Sequence, residues 1–294
     1  MKRESWKNAS CVAKLSLVAV AMMVSGAKVQ AKELPQFGET TQESTTTESE
    51  KTQKKETTKK KAKFVKKNGI TYYLNADGKK VKSKFVTVKK KTYYLNKKGA
   101  VQKGWMKKGG EYYFFDRSTG VQKKSGKADD IVIKNGKAKK TAYNTKKIEA
   151  MMKAAALVEK NTKATDSKEE KLKKMFYWVA QGPYKRFRRL REVRSNKGWE
   201  IDYANDMLKG SKREGCCVSN ACTLAYFARE CGYKTVYVCD DTEHAWVEID
   251  GKVYDTLFAE MTAHGGSTKN PNYKDYFKST YQKTKLVCVN KLKV

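Results

Sequence analysis

Residues 213–235 read REGCCVSNACTLAYFARECGYKT, and residues 244–255 read HAWVEIDGKVYD. In the first stretch Ala221, Leu224, Ala225, Ala228 and Cys231 recur at helical spacing, and Gly232 follows as the residue that closes the helix. That helix must open near 215–217. The second stretch alternates, pauses at Asp250-Gly251 and resumes, which is the strongest short-range signal for a two-residue β-hairpin. With the turn at those two residues, Ile249 faces Lys252, Trp246 faces Asp255 and His244 faces Leu257. Side chains two apart on a strand share a face. Asp255 is therefore the diagonal neighbour of His244, with Cβ atoms about 7 Å apart or less. A slip of one residue would put the pair on opposite sides of the sheet.

Upstream of these stretches the texture is helical. From about Thr141 the chain turns helical, with apolar residues at helical spacing over 148–158; Leu172, Met175, Phe176 and Val179 mark a second helix, begun by Asp166-Ser167 with Glu169 and Glu170 in its first turn. A short helix is expected at 204–208. The basic run YKRFRRLREVR at 184–194 reads as surface. Strands are expected at 235–239, 243–249, 252–257 and 286–289. Helices followed by an antiparallel sheet argue for an α+β fold.

A thiol at the head of a helix meets unpaired N–H groups and the positive end of the helix dipole, which favour its thiolate. Cys216 and Cys217 both fall there, but successive helical residues point about 100° apart, so one of them faces the sheet. Cys217, four before Ala221, is on the packed face. Cys216 is the alternative. His244 and Asp255, on one face of the hairpin, supply a base and an acid to orient it. Taken singly, each has an ordinary reading, as a core cysteine, a strand histidine bonded to a carbonyl, and a strand-end carboxylate; it is their conjunction that points to catalysis. His264, in AHGGS, reads as a solvated loop residue.

The G-x-C opening a helix that ends in -GY-, followed by HAWVEI-DG-KVYD, resembles the transglutaminase-like superfamily, a papain-like fold. FYWVAQGPY at 176–184 resembles that family's upstream W-V…Y helix, and YANDML at 203–208 its stretch before the cysteine. The likeness covers about 145–260. It implies a Cys217, His244, Asp255 triad: attack by the thiolate on a carboxamide or peptide carbonyl, an acyl-thioester, and completion by water or an amine. The Cys217 N–H is a candidate oxyanion donor, and Tyr184 or Trp199 could line the cleft. The hairpin arms are about two residues shorter than the family often shows, and both shorten together. No cofactor and no metal is implied.

Before this domain lies a repeat. FVKKNGITYYLNADGKKV, FVTVKKKTYYLNKKGAV and WMKKGGEYYFFDRSTGV align on Tyr72-Tyr73, Tyr93-Tyr94 and Tyr112-Tyr113. Each unit reads as a small hairpin that buries its face only against its neighbours. Residues 64–125 resemble the cell-wall-binding repeats of Gram-positive surface proteins, which often hold choline in aromatic cages. That resemblance makes Tyr73, Tyr94, Trp105 and Tyr113 the candidate wall-ligand residues. Only Trp105 keeps the first tryptophan, Phe64 and Phe85 replacing it, and Thr71, Thr92 and Glu111 stand where another aromatic is common. These departures point away from choline and towards teichoic-acid phosphates or other wall polyanions, or to aromatics that pack only on each other. A closing hairpin is expected over 130–138.

The 294 residues carry a net charge of +33, and the mean hydropathy is −0.78. Such an excess implies a polyanionic setting. A basic start, an apolar run over 15–24 and VQA at 29–31 have the order of a secretory signal cleaved after Ala31. Its removal, with five Lys/Arg and one Glu, leaves +29. Export argues against nucleic acid as a partner, and no other segment is long and apolar enough to span a membrane. The six remaining cysteines lie in the last third with no CxxC spacing, which argues against a zinc or redox cluster.

The expected organisation is a signal at 1–31, a polar tether at 32–62, hairpin repeats at 63–138 and a papain-like, transglutaminase-like domain at 141–294. The expected function is a secreted thiol enzyme of the cell wall or surface acting on a peptide or protein substrate. The alternative is a non-catalytic wall-binding protein on a papain-like scaffold.

Overall fold

The computed structural model describes residues 61–210, 212–257, 277 and 287–294. The expected signal, most of the tether, His264 and residue 286 lie outside the described residues.

The three repeats are three antiparallel hairpins, β1 (Lys63–Lys67) with β2 (Ile70–Leu74), β3 (Lys84–Val88) with β4 (Lys91–Leu95), and β5 (Gly104–Lys108) with β6 (Glu111–Phe115). The third differs from the others. Trp105, Tyr112 and Phe114 belong to the large core cluster that holds the helices, whereas Tyr94, Met106 and Phe115 form a small separate cluster. The expected closing hairpin is a three-stranded sheet, β7 (Gly126–Ala128), β8 (Ile131–Lys134) and β9 (Lys137–Ala138), with Ile131 and Ile133 buried in that same core.

Helix α1 (Ala142–Asn161) is capped by the Thr141 hydroxyl, which accepts from the Asn144 N–H. Helix α2 (Lys168–Ala180) opens with a capping box in which Ser167 and Glu170 bond each other's backbone N–H. After the one-turn helix α3 (Leu190–Val193), α4 (Trp199–Lys209) runs longer than the expected 204–208. Helix α5 (Cys217–Glu230) is buried from Cys217 to Ala228, on every side rather than on one stripe. It ends in a Schellman arrangement: Gly232 N–H donates to the Arg229 carbonyl and Tyr233 N–H to that of Ala228.

Strands β10 (Val236–Asp240), β11 (Ala245–Ile249), β12 (Lys252–Tyr254) and β13 (Asn290–Lys293) form an antiparallel sheet in the order β12-β11-β10-β13. Val236, Val238, Ala245, Val247 and Ile249 join the core under α5. The fold is α+β, helices on an antiparallel sheet after a run of hairpins. The last strand lies four residues beyond the expected 286–289. Val287 and Val289 stay 68% and 58% exposed, and the pairing with β10 is made by Asn290–Lys293. An edge strand needs only backbone partners, so its hydropathy does not specify which residues pair.

The last repeat is fastened to α5 by a buried ion cluster. Arg117 reaches Asp129 at 2.8 Å and Glu230 at 2.6 Å, and Arg229 reaches Asp129 at 2.6 Å. The Trp105 indole N–H donates to the same Asp129 carboxylate at 2.8 Å. Burial works against the charged forms, but the two guanidiniums hold the Asp129 carboxyl well below the usual range.

Candidate active site

Gly215 precedes the thiols because nothing larger fits: a Cβ there would stand 2.7 Å from Ser219 Cβ and 3.0 Å from Met207 Cγ. On its other side the backbone is clamped, Gly215 N–H donating to the Pro183 carbonyl and Lys185 N–H to that of Gly215. Cys216 is the N-cap of α5 and Cys217 its first residue. Both side chains are buried, with residue exposures of 2% and 6%. All six cysteines among the described residues are free thiols.

The two thiols share a proton. The Cys217 thiol donates to Cys216, and this bond is the largest influence pulling Cys216 down to about 6, against its burial; N–H groups of Ser219 and Val218 help. Cys217, as donor, is held well above its ordinary value by the same bond and by burial, with the Ala245 and Val218 N–H groups working the other way. The two thiols are coupled, so the first proton lost belongs to the pair rather than to either sulfur alone. Cys216 lies 3.7 Å from Ser219 Oγ, which donates to Asp206 at 2.8 Å; Arg188 grips that carboxylate in a fork at 2.7 and 2.9 Å.

The hairpin has the register that the Asp-Gly turn predicts, Ile249 opposite Lys252, Glu248 opposite Val253 and Val247 opposite Tyr254. But β12 ends at Tyr254 and the chain turns helical at 256–257, so the expected pairs Trp246–Asp255 and His244–Leu257 lie beyond the ladder. Asp250 and Gly251 take φ of 47° and 78°, both left-handed, as a type I′ turn requires. His244 enters through a tight turn, its N–H donating to Asp241 Oδ1 at 2.7 Å. Thr242, a β-branched residue, is held in this turn at φ 81°. His244 Nε2 meets Asp255 Oδ2 at 2.5 Å, and the Trp246 ring centre stands 6.1 Å from the imidazole on the same face. Nδ1 is the ring nitrogen left for the cleft. Burial lowers the His244 pKa, but the bond to Asp255 and the charges of Asp255 and Asp241 outweigh it and leave the value raised above 6.5.

Cys216, Cys217 and His244 line one cleft of about 220 Å³ together with arginines of the 186–191 strip and Glu243. Asp255 sits behind the imidazole, 2% exposed. Sequence reasoning placed the basic run at the surface and missed that it forms a wall of this cleft. The missed signal was residue type: five of the nine arginines in this lysine-rich chain fall between 186 and 194. Neither of the two aromatics considered for the cleft is among the residues that line it: the Tyr184 hydroxyl accepts from Arg186, and Trp199 stacks edge-on against Tyr203.

In the repeats, Tyr73 packs on Phe64, and Tyr94 and Tyr113 on Phe85, with ring centres 4.9, 4.9 and 5.6 Å apart. Trp105 corrects an expectation. It is 3% exposed with its N–H bonded to Asp129, so it joins hairpin to core and presents no face to a wall ligand.

The transglutaminase-like superfamily core model matches residues 155–260, a span that contains all three candidate residues. The chain carries a transglutaminase-like core. The model for the cell wall binding repeat of the choline-binding type matches residues 63–80 and 83–101, so this core is preceded by wall-binding repeats. No curated relative matches the chain.

Among solved structures, the cell wall endolysin from phage Cp-1 complexed with choline is 31% identical over 21% of this chain and 18% of its own, with a TM-score of 0.20. The choline binding domain of Spr1274 from Streptococcus pneumoniae is 26% identical over 26% of this chain and 93% of its own, at 0.25. Choline binding protein F from Streptococcus pneumoniae, with a peptidoglycan analogue, is 24% identical over 26% of each chain, at 0.24. The chain thus spans less than a fifth of the endolysin's length. The match to a transglutaminase-like core suggests a cysteine-type enzyme, and the repeats suggest association with the cell surface.

Proposed function

We propose that this chain is a secreted, wall-associated thiol enzyme that acts on peptide or glutamine-type amides through an acyl-thioester on Cys217. The observation that carries the reading is the thiol pair at the head of α5 sharing a cleft with an imidazole that Asp255 holds through Nε2.

The Cys217 sulfur attacks the carbonyl carbon and the carbonyl oxygen becomes an oxyanion. The Cys217 N–H, one of the helix's unpaired first-turn donors, faces that charge. His244 Nδ1 delivers a proton to the departing nitrogen, which leaves as ammonia or an amine, and the thioester remains. His244 then takes a proton from water, giving hydrolysis or deamidation, or from an amine, giving acyl transfer. Asp255 fixes the imidazole's orientation and stabilises its charged form.

The hairpin repeats would retain the enzyme on a wall polyanion, such as teichoic-acid phosphate, through the lysine excess and the half-buried Tyr73 and Tyr113.

A second assignment makes Cys216 the nucleophile, favoured by its lower pKa. Ammonia release from a glutamine peptide, with and without an added amine, tests both. Cys217→Ser is expected to abolish release and Cys216→Ser to retain it; the opposite pattern would transfer the role to Cys216, and release by neither wild type nor variants would refute the enzyme.

A further inference from the structure

Outside the N-terminal Arg3, every arginine beyond the 186–191 strip has a visible employment. Arg117 and Arg229 neutralise Asp129 and Glu230, Arg194 donates to Asp240, and Arg213 lies over the Trp178 ring at 5.1 Å. Within the strip, Arg188 is spent on Asp206. Arg186, Arg189 and Arg191 line the cleft without a carboxylate partner among the described residues. Among the described residues Arg186 donates only to the Tyr184 hydroxyl, at 3.1 Å.

Elsewhere the chain makes its basic surface from lysine, which is a point charge. An arginine fork suits a planar anion held in two bonds. The strip also shows two of the few large exposed apolar side chains, Tyr184 and Phe187, each 46% exposed. It is held rigidly. Pro183 and Lys185 bond Gly215 at one end, Arg188 bonds Asp206 in the middle, and Arg194 bonds Asp240 at the other. Glu243 lines the same cleft, beside His244. A peptide lying across the thiols therefore meets three arginine forks within the cleft, with the exposed Tyr184 and Phe187 on the same strip of chain.

We infer that the strip from Tyr184 to Arg191 is the substrate subsite for an acidic peptide, whose carboxylates are gripped by Arg186, Arg189 and Arg191 next to the amide that Cys217 attacks. The position of that amide rests on the proposed role of Cys217; the binding of the acidic segment does not. Arg186 has a second effect, since its charge favours negative charge on the sulfurs; its own pKa is raised, first by the bond to Tyr184 and then by those sulfurs. For that reason the test leaves Arg186 in place.

The full chain bearing Cys217→Ala is titrated with fluorescent peptides of one length, each with a central glutamine flanked by glutamates, serines or lysines, and anisotropy is read at about 0.15 M salt so that general charge attraction is screened. The glutamate peptide is expected to bind about tenfold tighter than the serine peptide, the scale of a charge-assisted fork. Arg189→Gln with Arg191→Gln should remove that preference, and the double change to lysine should remove about half of it in free energy. Lys89→Gln with Lys90→Gln, which removes the same charge from a repeat turn, should alter it by about twofold at most.

Equal loss in the lysine control would overturn the subsite, as would survival of the preference in the arginine variant. Stronger competition by polyphosphate than by the glutamate peptide at the same arginines would assign the strip to phosphate and overturn it too. Turnover of the same peptides by wild type separates the two claims. No turnover with arginine-dependent binding sinks the enzyme and keeps the subsite; turnover without charge preference sinks the subsite alone.

Discussion

Burial alone would make His244 harder to protonate, and it is Asp255, at 2.5 Å, that reverses this and raises the imidazole above 6.5. Attack needs negative charge on the thiol pair and a proton on the imidazole, so the acid limb follows the first thiol proton, at about 6, and the alkaline limb follows loss of the imidazolium above 6.5. Asp255→Asn removes the larger raising influences and leaves the burial, opposed only by the charge of Asp241. The alkaline limb of kcat/KM is expected to move to lower pH with the acid limb unchanged; an unmoved alkaline limb would mean that Asp255 does not set the His244 charge. Linkage has the same sign. A pKa raised by folding stabilises the fold below 6.5 and that contribution fades as pH climbs past the folded value. The three candidate residues were legible because hairpin register and helix spacing are local. The partners that hold them were not: Ser219 and Asp206 under Cys216, and Arg186 beside the sulfurs, meet only when α4, α5 and the 183–194 strip pack together.

Among the elements, α5 carries the greatest constraint, since it is buried on every side and begins at a glycine with no room for a methyl group. Gly215→Ala would press a methyl group against Ser219 in its first turn and against Met207 of α4. The expected cost is about 1–3 kcal/mol of overpacking, with activity falling further than stability because both sulfurs move. Thermal unfolding beside kcat/KM checks this; unchanged activity would show that the first turn tolerates displacement. The sequence foretold the start of α2 at Asp166-Ser167 and the closing glycine of α5, where a few adjacent residues decide. It misplaced β13, because the preceding apolar run 286–289, of which Val287 and Val289 are exposed, resembles a strand more than the residues that pair, and it shortened α4, whose first turn buries Glu200 and Ile201 against the core.

At the scale of the molecule, the third repeat is part of the core that holds the helices rather than a bead on a string. Asp129, its side chain 1% exposed, joins Arg117, Arg229 and Trp105. Asp129→Ala would leave two guanidiniums buried with less than their compensating charge, a loss of about 3–5 kcal/mol by denaturant titration. A loss of a few tenths would mean that water replaces the carboxylate. Retention on purified walls should weaken as salt rises and fall after teichoic acid is stripped, since lysine attraction is screened. Salt-independent retention would assign the repeats to a neutral ligand. The most direct test of the whole account is alkylation by iodoacetamide, mapped by mass spectrometry at about pH 6, where an ordinary thiol reacts slowly. The account predicts rapid labelling at Cys217, slowed in His244→Ala. Slow labelling at both Cys216 and Cys217, or labelling indifferent to the loss of His244, would contradict it.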